Sequence, residues 1–193
     1  MKVVFLDRDG VINEFPGNGA YVTKIKDFHF LPGSVEAIQE LTDNGYKIFV
    51  ISNQAGVGKR VYSLDKLNRI NAYMIKGVGR GKIRKSFYCT HRPDAGCTCR
   101  KPGIGLLKKA LKSLNKTIAH AQRAFFVGDT EGDIKTGHNA GCKTIFVLSG
   151  RENRRNMLKW DVKPDYIVNN LKAAVPIILN ENLSYPRNSR RRA

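Results

Sequence analysis

The sequence predicts an α/β fold in which helices cover both faces of a mainly parallel β-sheet. The main observation is that short apolar runs, each long enough for a buried strand, alternate with stretches whose apolar residues recur at helical spacing. Strands joined by helices in this way form parallel sheets. The chain has 193 residues, of which 41% are hydrophobic, so we expect a single domain with a substantial core.

The first strand is predicted at residues 3–6, where four apolar residues run directly into Asp7, Arg8, Asp9 and Gly10. A short apolar run that ends in acidic residues is typical of a buried strand leading into a loop. Two carboxylates two positions apart can converge on one small volume, which is unfavourable unless a cation or a proton lies between them. The alternative from this stretch alone is a strand followed by a solvated acidic turn.

The remaining elements follow from the same two patterns. After a loop over residues 14–28, strands are predicted at residues 47–51, 86–88, 124–127, 143–148 and 165–168. Helices are predicted at residues 35–42, 64–75, 101–114, 134–140 and 171–179, and the basic residues 151–160 are compatible with another. Asn44-Gly45 ends the first helix and Ser63 caps the second. The third helix is expected to open at Lys101-Pro102, because proline fits the first turn of a helix.

We expect one domain over residues 1–183, followed by a basic, flexible tail over residues 184–193. The formal net charge of +18 favours anionic partners, such as phosphorylated metabolites, nucleic acid or an anionic membrane surface. The basic residues are spread along the chain, however, and lysines on helix faces commonly serve solvation alone. No apolar run approaches the roughly 18 residues that span a bilayer, and the first meets charge after four residues, unlike a signal peptide. We therefore expect a cytoplasmic monomer that does not engage a membrane.

Four predicted strands lead into polar residues that suit phosphate chemistry. In a parallel sheet, ligands bind outside the carboxyl ends of the strands, so these residues are expected to meet. Acids, a hydroxyl, an amide and fixed cations together suit a phosphate group and a hard divalent cation such as Mg²⁺, which takes oxygen ligands. A carboxylate can also attack phosphorus as a covalent nucleophile. The residues, in chain order, are Asp7, Asp9, Ser52, Asn53, Arg100, Lys101, Asp129 and Asp133.

A second cluster contains three of the four cysteines and one histidine. Cys89-x-His91 and Cys97-x-Cys99 place four soft or borderline ligands within eleven residues. In a chain without a secretory signal, such a set indicates metal before disulfides. Three thiolates and one imidazole make a closed tetrahedral zinc site, and closed sites are structural because no position is left for a reacting water.

The position of this cluster, which we call the zinc loop (residues 89–99), is informative. The loop ends directly before Arg100 and Lys101. Zinc is therefore expected to fix the loop that directs these two cations toward the strand ends. Cys142 stands apart in the sequence and is expected to be a small buried apolar residue.

These motifs resemble those of the haloacid dehalogenase-like (HAD) phosphatases. The matching features, from Val3 to Asp133, are Asp7-x-Asp9-Gly10, Ser52-Asn53 after a strand, Lys101, and Gly128-Asp129-x-x-x-Asp133. A more specific set is Asp-Arg-Asp-Gly-Val-Ile-Asn, Ser-Asn-Gln-Ala-Gly-Val, the cysteine cluster and Cys-Arg-Lys-Pro. That set resembles the subfamily of D,D-heptose 1,7-bisphosphate and histidinol-phosphate phosphatases. The resemblance implies a Rossmann-like, three-layer α/β/α fold with a small zinc-binding loop and no large cap domain.

The resemblance also implies the chemical roles of the acidic residues. Asp7 would attack phosphorus and form an aspartyl phosphate, and Asp9 would protonate the leaving oxygen and then deprotonate the hydrolytic water. Mg²⁺ would be bound by Asp7, the backbone carbonyl of Asp9, and Asp129. Asp133 would orient Lys101 or a metal-bound water from outside the ligand shell.

The remaining residues would hold the substrate. By resemblance, Ser52 and Asn53 would bind phosphate oxygens, Lys101 would neutralise charge on the transferred group, and Arg100 would contact the substrate beyond its phosphate. The sequence departs from the pattern at Lys59-Arg60, where related sequences usually keep a glycine.

The resemblance favours the 7-phosphate of D-glycero-D-manno-heptose 1,7-bisphosphate as substrate, on a route to nucleotide-activated heptose. Histidinol phosphate is an alternative that the motifs barely separate from it. A nucleic-acid 3′-phosphatase is a third reading, because such domains also carry an Asn-Gln pair after the second strand, but base-stacking platforms are not evident. The non-enzymatic alternative is a basic, zinc-stabilised binding module, against which the intact set of acids and Lys101 argues.

Overall fold

The computed structural model describes residues 2–181, so the predicted tail over residues 184–193 lies outside the described residues. Six strands form one sheet: β1 (Val3–Leu6), β2 (Lys47–Asn53), β3 (Ile83–Cys89), β4 (Ala124–Gly128), β5 (Lys143–Val147) and β6 (Tyr166–Val168). Their order is β3-β2-β1-β4-β5-β6, and every pairing between neighbours is parallel. The prediction of a mainly parallel sheet is confirmed.

Helices cover both faces of this sheet, as predicted. They are α1 (Ser34–Asp43), α2 (Ala55–Gly58), α3 (Leu64–Val78), α4 (Gly105–Lys112), α5 (Glu131–Ala140), α6 (Arg154–Met157) and α7 (Leu171–Glu181). Helices α1, α3 and α7 bury their apolar residues against one face, while α4 and α5 contribute to the core on the other. Because β1 is central and covered on both sides, all four of its residues are fully buried, which explains its continuous apolar run. None of the helices in residues 2–181 has the length and apolar character that crossing a bilayer requires.

The structure corrects the start of the third predicted helix. The sequence predicts that this helix opens at Lys101-Pro102, but α4 begins at Gly105. The amide of Gly105 donates to the carbonyl of Thr98 at 3.1 Å, which ties the chain back to the zinc loop. Lys101 therefore lies in a turn before the helix, where its side chain can reach the strand ends.

Arg60, between α2 and α3, has a left-handed backbone conformation with φ of 60°. It is one of the two residues, Lys59 and Arg60, at which the sequence departs from the pattern that the resemblance implies. The left-handed conformation costs a residue with a side chain roughly 1–2 kcal/mol, whereas glycine adopts it freely. We expect Arg60→Gly to raise the free energy of unfolding by up to about 1 kcal/mol, since glycine's larger entropy in the unfolded chain offsets part of the gain.

Urea denaturation measures this effect, and Asn115→Gly is the matched control. Asn115 also has a positive φ, of 54°. Asparagine tolerates this region better than arginine, so the control should gain little or nothing. A gain at Asn115 as large as the gain at Arg60 would contradict the strain argument.

Candidate active site

The polar residues predicted to meet do meet, at the carboxyl edge of the sheet. The parallel register places Leu6 beside Val127, so Asp7 and Asp129 follow adjacent strands within one residue of the same level. This is where the strand order reverses, the position at which open α/β sheets bind ligands. A cavity of about 350 Å³ opens there. Its lining includes Asp7, Asp9, Ser52, Asn53, Arg100, Lys101 and Asp129.

A buried lysine joins two of the carboxylates. The Nζ of Lys101 lies 2.9 Å from Asp7 Oδ2 and 2.5 Å from Asp133 Oδ1. Burial alone would lower the pKa of Lys101, but the carboxylates of Asp133 and Asp7 raise it above its usual range, so the lysine stays charged. Burial raises the pKa of Asp7 to about 6, although Lys101 opposes the shift. Without a further cation, one ammonium group faces more buried carboxylate charge than it can neutralise.

Asp129 contributes to this excess of negative charge and has one carboxylate oxygen available to bind a cation. Burial raises its pKa well above the usual range, and nearby Asp133 and Asp7 add to the shift. The Oδ2 atom accepts a hydrogen bond from the Arg151 amide at 2.7 Å, but the buried Oδ1 atom has no hydrogen-bond partner among residues 2–181. Glycines at positions 10 and 150 pack directly on this carboxylate, where a Cβ would overlap it. The arrangement is compatible with a hard divalent cation.

Asp133 differs from the other two acids because its side chain is completely buried and does not line the cavity. Its Oδ2 accepts from the Thr130 hydroxyl at 2.6 Å and the Thr130 amide at 3.1 Å, and Oδ1 pairs with Lys101. Carboxylate oxygens of Asp7, Asp129 and Asp133 lie within 4.8 Å of one another. Since Asp7 and Asp129 line the cavity and Asp133 does not, those two are the acids that a cation in the cavity can reach.

The side chain of Asn53 is hydrogen-bonded to the backbone of Lys101. Asn53 Nδ2 donates to the Lys101 carbonyl at 3.2 Å, and the Lys101 amide donates to Asn53 Oδ1 at 3.1 Å. These two hydrogen bonds mean that the side-chain amide of Asn53 holds the backbone of Lys101 in place. Ser52, by contrast, lines the cavity, and the half-buried Arg100 has a buried Nη1 atom that lacks a partner within the described chain.

The four predicted zinc ligands converge. The sulfur of Cys89 lies 3.6 Å from that of Cys97, and the sulfurs of Cys97 and Cys99 are 3.5 Å apart. His91 Nδ1 is 3.6 Å from Cys89 Sγ and 3.2 Å from Cys99 Sγ. Thiolates around tetrahedral zinc, with bonds of about 2.3 Å, are separated by about 3.8 Å, whereas a disulfide is far shorter. The set is compatible with zinc. Cys142 is buried away from it, as predicted.

Comparison with known proteins shows the family to which this chain belongs. A family profile described as HAD-hydrolase-like matches residues 98–174. A D-glycero-beta-D-manno-heptose-1,7-bisphosphate 7-phosphatase of Pseudomonas putida is 34% identical over 156 residues, which cover 80% of this chain and 86% of the relative. The chain belongs to the HAD-like phosphatase family. The Haemophilus ducreyi protein of the same name is 32% identical over 186 residues, covering 92% of this chain and 98% of the relative.

Solved structures of HAD-like phosphatases show the same fold. The crystal structure of D,D-heptose 1,7-bisphosphate phosphatase from B. bronchiseptica, complexed with magnesium and phosphate, has a TM-score of 0.83 at 29% identity. The match covers 94% of this chain and 99% of the other. The resemblance inferred from the motifs is therefore confirmed, and this chain is a phosphatase with that fold.

Four residues of this phosphatase site, all of them around Asp9, are not predicted by the sequence. Arg8, Asn13 and Gln54 donate hydrogen bonds to the Asp9 carboxylate, and Tyr62 donates to Gln54. The one available signal was Arg8 itself, an arginine between two acids at the end of a buried strand. Because Arg8 is completely buried, its charge must be paired, and Asp9 is the partner.

Proposed function

We propose that this chain is a Mg²⁺-dependent phosphomonoesterase that removes the 7-phosphate of D-glycero-beta-D-manno-heptose 1,7-bisphosphate. Relatives that bear this name align over most of the chain at 32–35% identity. The observation that carries the proposal is the contact of Lys101 with both Asp7 and Asp133. It lies beside Asp129, at the carboxyl ends of β1 and β4. It supports the proposal because the Asp7 carboxylate, which would attack phosphorus, and a fixed cation both border the cavity that a phosphate group would enter.

The reaction would proceed in two steps on the protein's own groups. A carboxylate oxygen of Asp7 attacks phosphorus, the bond from phosphorus to the sugar oxygen breaks, and Asp9 gives its proton to that oxygen. Asp9 then takes a proton from a water that attacks the aspartyl phosphate, which releases inorganic phosphate and restores Asp7. Lys101 stabilises negative charge on the transferred group in both steps. Mg²⁺, held by Asp7, Asp129 and the Asp9 carbonyl, would supply charge neutralisation and polarise a phosphate oxygen.

The substrate would be held by groups around the cavity. Ser52 would bind phosphate oxygens, and we assign the Asn53 side chain to holding Lys101 because its amide is already bonded there. Arg100 would contact the substrate beyond the transferred phosphate. The loop that carries Phe15 and Tyr21, together with Pro93 of the zinc loop, borders the cavity and would set specificity in place of a cap domain. Zinc would be held by Cys89, His91, Cys97 and Cys99.

A comparison of kcat/KM over four substrates tests the proposal. The substrates are heptose 1,7-bisphosphate, histidinol phosphate, fructose bisphosphate and a 3′-phosphorylated oligonucleotide, each with saturating Mg²⁺. We expect the heptose bisphosphate to be preferred over every other substrate by about tenfold or more, the gain that one well-placed polar contact to the sugar or the second phosphate supplies. Preference for histidinol phosphate or for the oligonucleotide would assign the chain to that activity instead. Salt-sensitive DNA binding without any turnover would contradict an enzymatic role.

A further inference from the structure

The carboxylate of Asp9 is surrounded by donors. Its Oδ1 accepts hydrogen bonds from Arg8 Nε at 3.1 Å, Arg8 Nη2 at 2.9 Å and Asn13 Nδ2 at 2.9 Å. Its Oδ2 accepts from Arg8 Nη2 at 2.9 Å and Gln54 Nε2 at 3.0 Å. The Asp9 side chain is 20% exposed and borders the cavity, while Arg8 is completely buried behind it. A substrate therefore meets a carboxylate whose orientation the protein has already fixed.

Gln54 joins this carboxylate to the end of β2. Its Nε2 donates to Asp9 Oδ2 and to Ser52 Oγ, the latter at 3.2 Å, and its Oε1 accepts from Tyr62 Oη at 2.6 Å and Arg8 Nη2 at 3.3 Å. Arginine can only donate, so a reversed amide would set its NH₂ group against the guanidinium. The amide of Gln54 is thereby held in one orientation, and it fixes the position of Asp9 relative to Ser52.

Gln54 and Tyr62 are themselves firmly placed. The backbone amide of Gln54 donates to the carbonyl of Cys89 at 2.8 Å, which links the residue to the end of β3. Tyr62 is buried and its ring lies 6.0 Å from that of Tyr21. A hydrogen bond between two such buried, immobile groups defines a position more tightly than one at the surface.

We propose that Gln54, oriented by the Tyr62 hydroxyl, is a positioning residue that sets Asp9 against the phosphate bound at Ser52. This rests on the proposed function, because the position of Asp9 matters only if Asp9 transfers protons during phosphoryl transfer. The ion pair with Arg8 holds the Asp9 carboxylate in the site. The hydrogen bonds of Gln54 set the orientation of that carboxylate relative to Ser52. Misplacing Asp9 slows cleavage most when the leaving oxygen needs a proton, and least when it departs as a stable anion.

Two variants test this in single-turnover experiments with Mg²⁺. Tyr62→Phe removes one hydroxyl and keeps the ring, and Gln54→Met removes the amide and nearly keeps the volume. With heptose 1,7-bisphosphate, we expect the rate of ester cleavage to fall about 5-fold in Tyr62→Phe, the equivalent of one hydrogen bond, and about 10-fold or more in Gln54→Met, with KM within about twofold. The single-turnover rate of 4-nitrophenolate release from 4-nitrophenyl phosphate should stay within about twofold of wild type, because nitrophenolate leaves without protonation.

Tyr73→Phe is the matched control, since Tyr73 is a 40% exposed tyrosine on α3, away from the cavity lining. It should change neither rate. Equal losses with both substrates in Tyr62→Phe, or wild-type rates in both site variants, would overturn the proposal. If Gln54→Met fails to fold, Tyr62→Phe still decides the question. A wild-type protein that cleaves neither substrate would contradict the proposed function instead.

Discussion

Asp7→Asn is expected to abolish phosphatase turnover, with a loss of kcat of about 10⁴-fold or more, as removal of a covalent nucleophile produces in other enzymes. An amide has almost the shape of the carboxylate but cannot attack phosphorus and binds a cation weakly. The site around it should otherwise persist, because Lys101 keeps its contact with Asp133. Initial rates with heptose bisphosphate, together with acid-quench trapping of phosphorylated protein, measure the effect. Turnover that survives in Asp7→Asn would exclude the covalent mechanism.

The same substitution should act in the opposite direction on the stability of the metal-free fold. Burial raises the pKa of Asp7 from 3.8 to about 6. The folded protein therefore binds this proton more tightly than the unfolded chain does, and the contribution to stability is lost as pH rises through that interval. At about pH 7.5 without Mg²⁺, Asp7→Asn should be more stable than wild type, by a few kcal/mol at most, and the difference should vanish near pH 4.

Thermal unfolding with and without Mg²⁺ distinguishes this pH-dependent gain in stability from the effect of removing any one carboxylate. Asp65→Asn is the control, because Asp65 is exposed and pairs only with Arg69 in the described part of the chain. It should show no comparable pH-dependent gain. Mg²⁺ should stabilise wild type more than Asp7→Asn. If Asp7→Asn is destabilised at every pH without metal, Asp7 has a structural role that the site geometry does not indicate.

The meeting of Asp7, Ser52 and Asp129 could be predicted because it follows from topology. Parallel strands bring their carboxyl ends to one edge, whatever the details of packing, so strand prediction is enough to collect the residues. The periodicity that marks strands and helices depends on burial alone, and the sheet and most helices follow from it.

The sequence does not predict the local hydrogen bonds that determine which group each of these residues contacts. The resemblance implies that Asn53 binds phosphate, and nothing in the sequence indicates that its side-chain amide is bonded to the Lys101 backbone 48 positions away. That pairing depends on where the zinc loop returns the chain, which no local pattern encodes. The start of α4 at Gly105 has the same cause, since the turn before it is bonded to Thr98. Arg8 shows a related limit, because an arginine flanked by acids is equally typical of a solvated turn.

The zinc loop is expected to control activity through the position of Lys101. Cys99 is two residues before Lys101, so a ligand held by zinc fixes the chain on one side, and Asn53 fixes the lysine backbone on the other. Zinc binding to such a cluster contributes directly to folding. Removal of zinc should therefore release one of two attachments and misplace the ammonium group rather than unfold the sheet. A displacement of about 1 Å at a catalytic group can cost about 100-fold in rate.

Cys99→Ser, or zinc removal from wild type by a chelator, should then lower kcat about 100-fold with Mg²⁺ present throughout, while KM changes less. Zinc should restore the chelated wild type, and additional Mg²⁺ should not. Cys142→Ala is the control, because Cys142 is buried outside the cluster. This variant should keep both the zinc and the activity of the wild type. Asn53→Ala removes the other attachment, so it should make activity more sensitive to zinc removal than in wild type. Full activity in a zinc-free, magnesium-replete protein would show that Asn53 alone positions Lys101, and that the metal serves the loop and not the reaction.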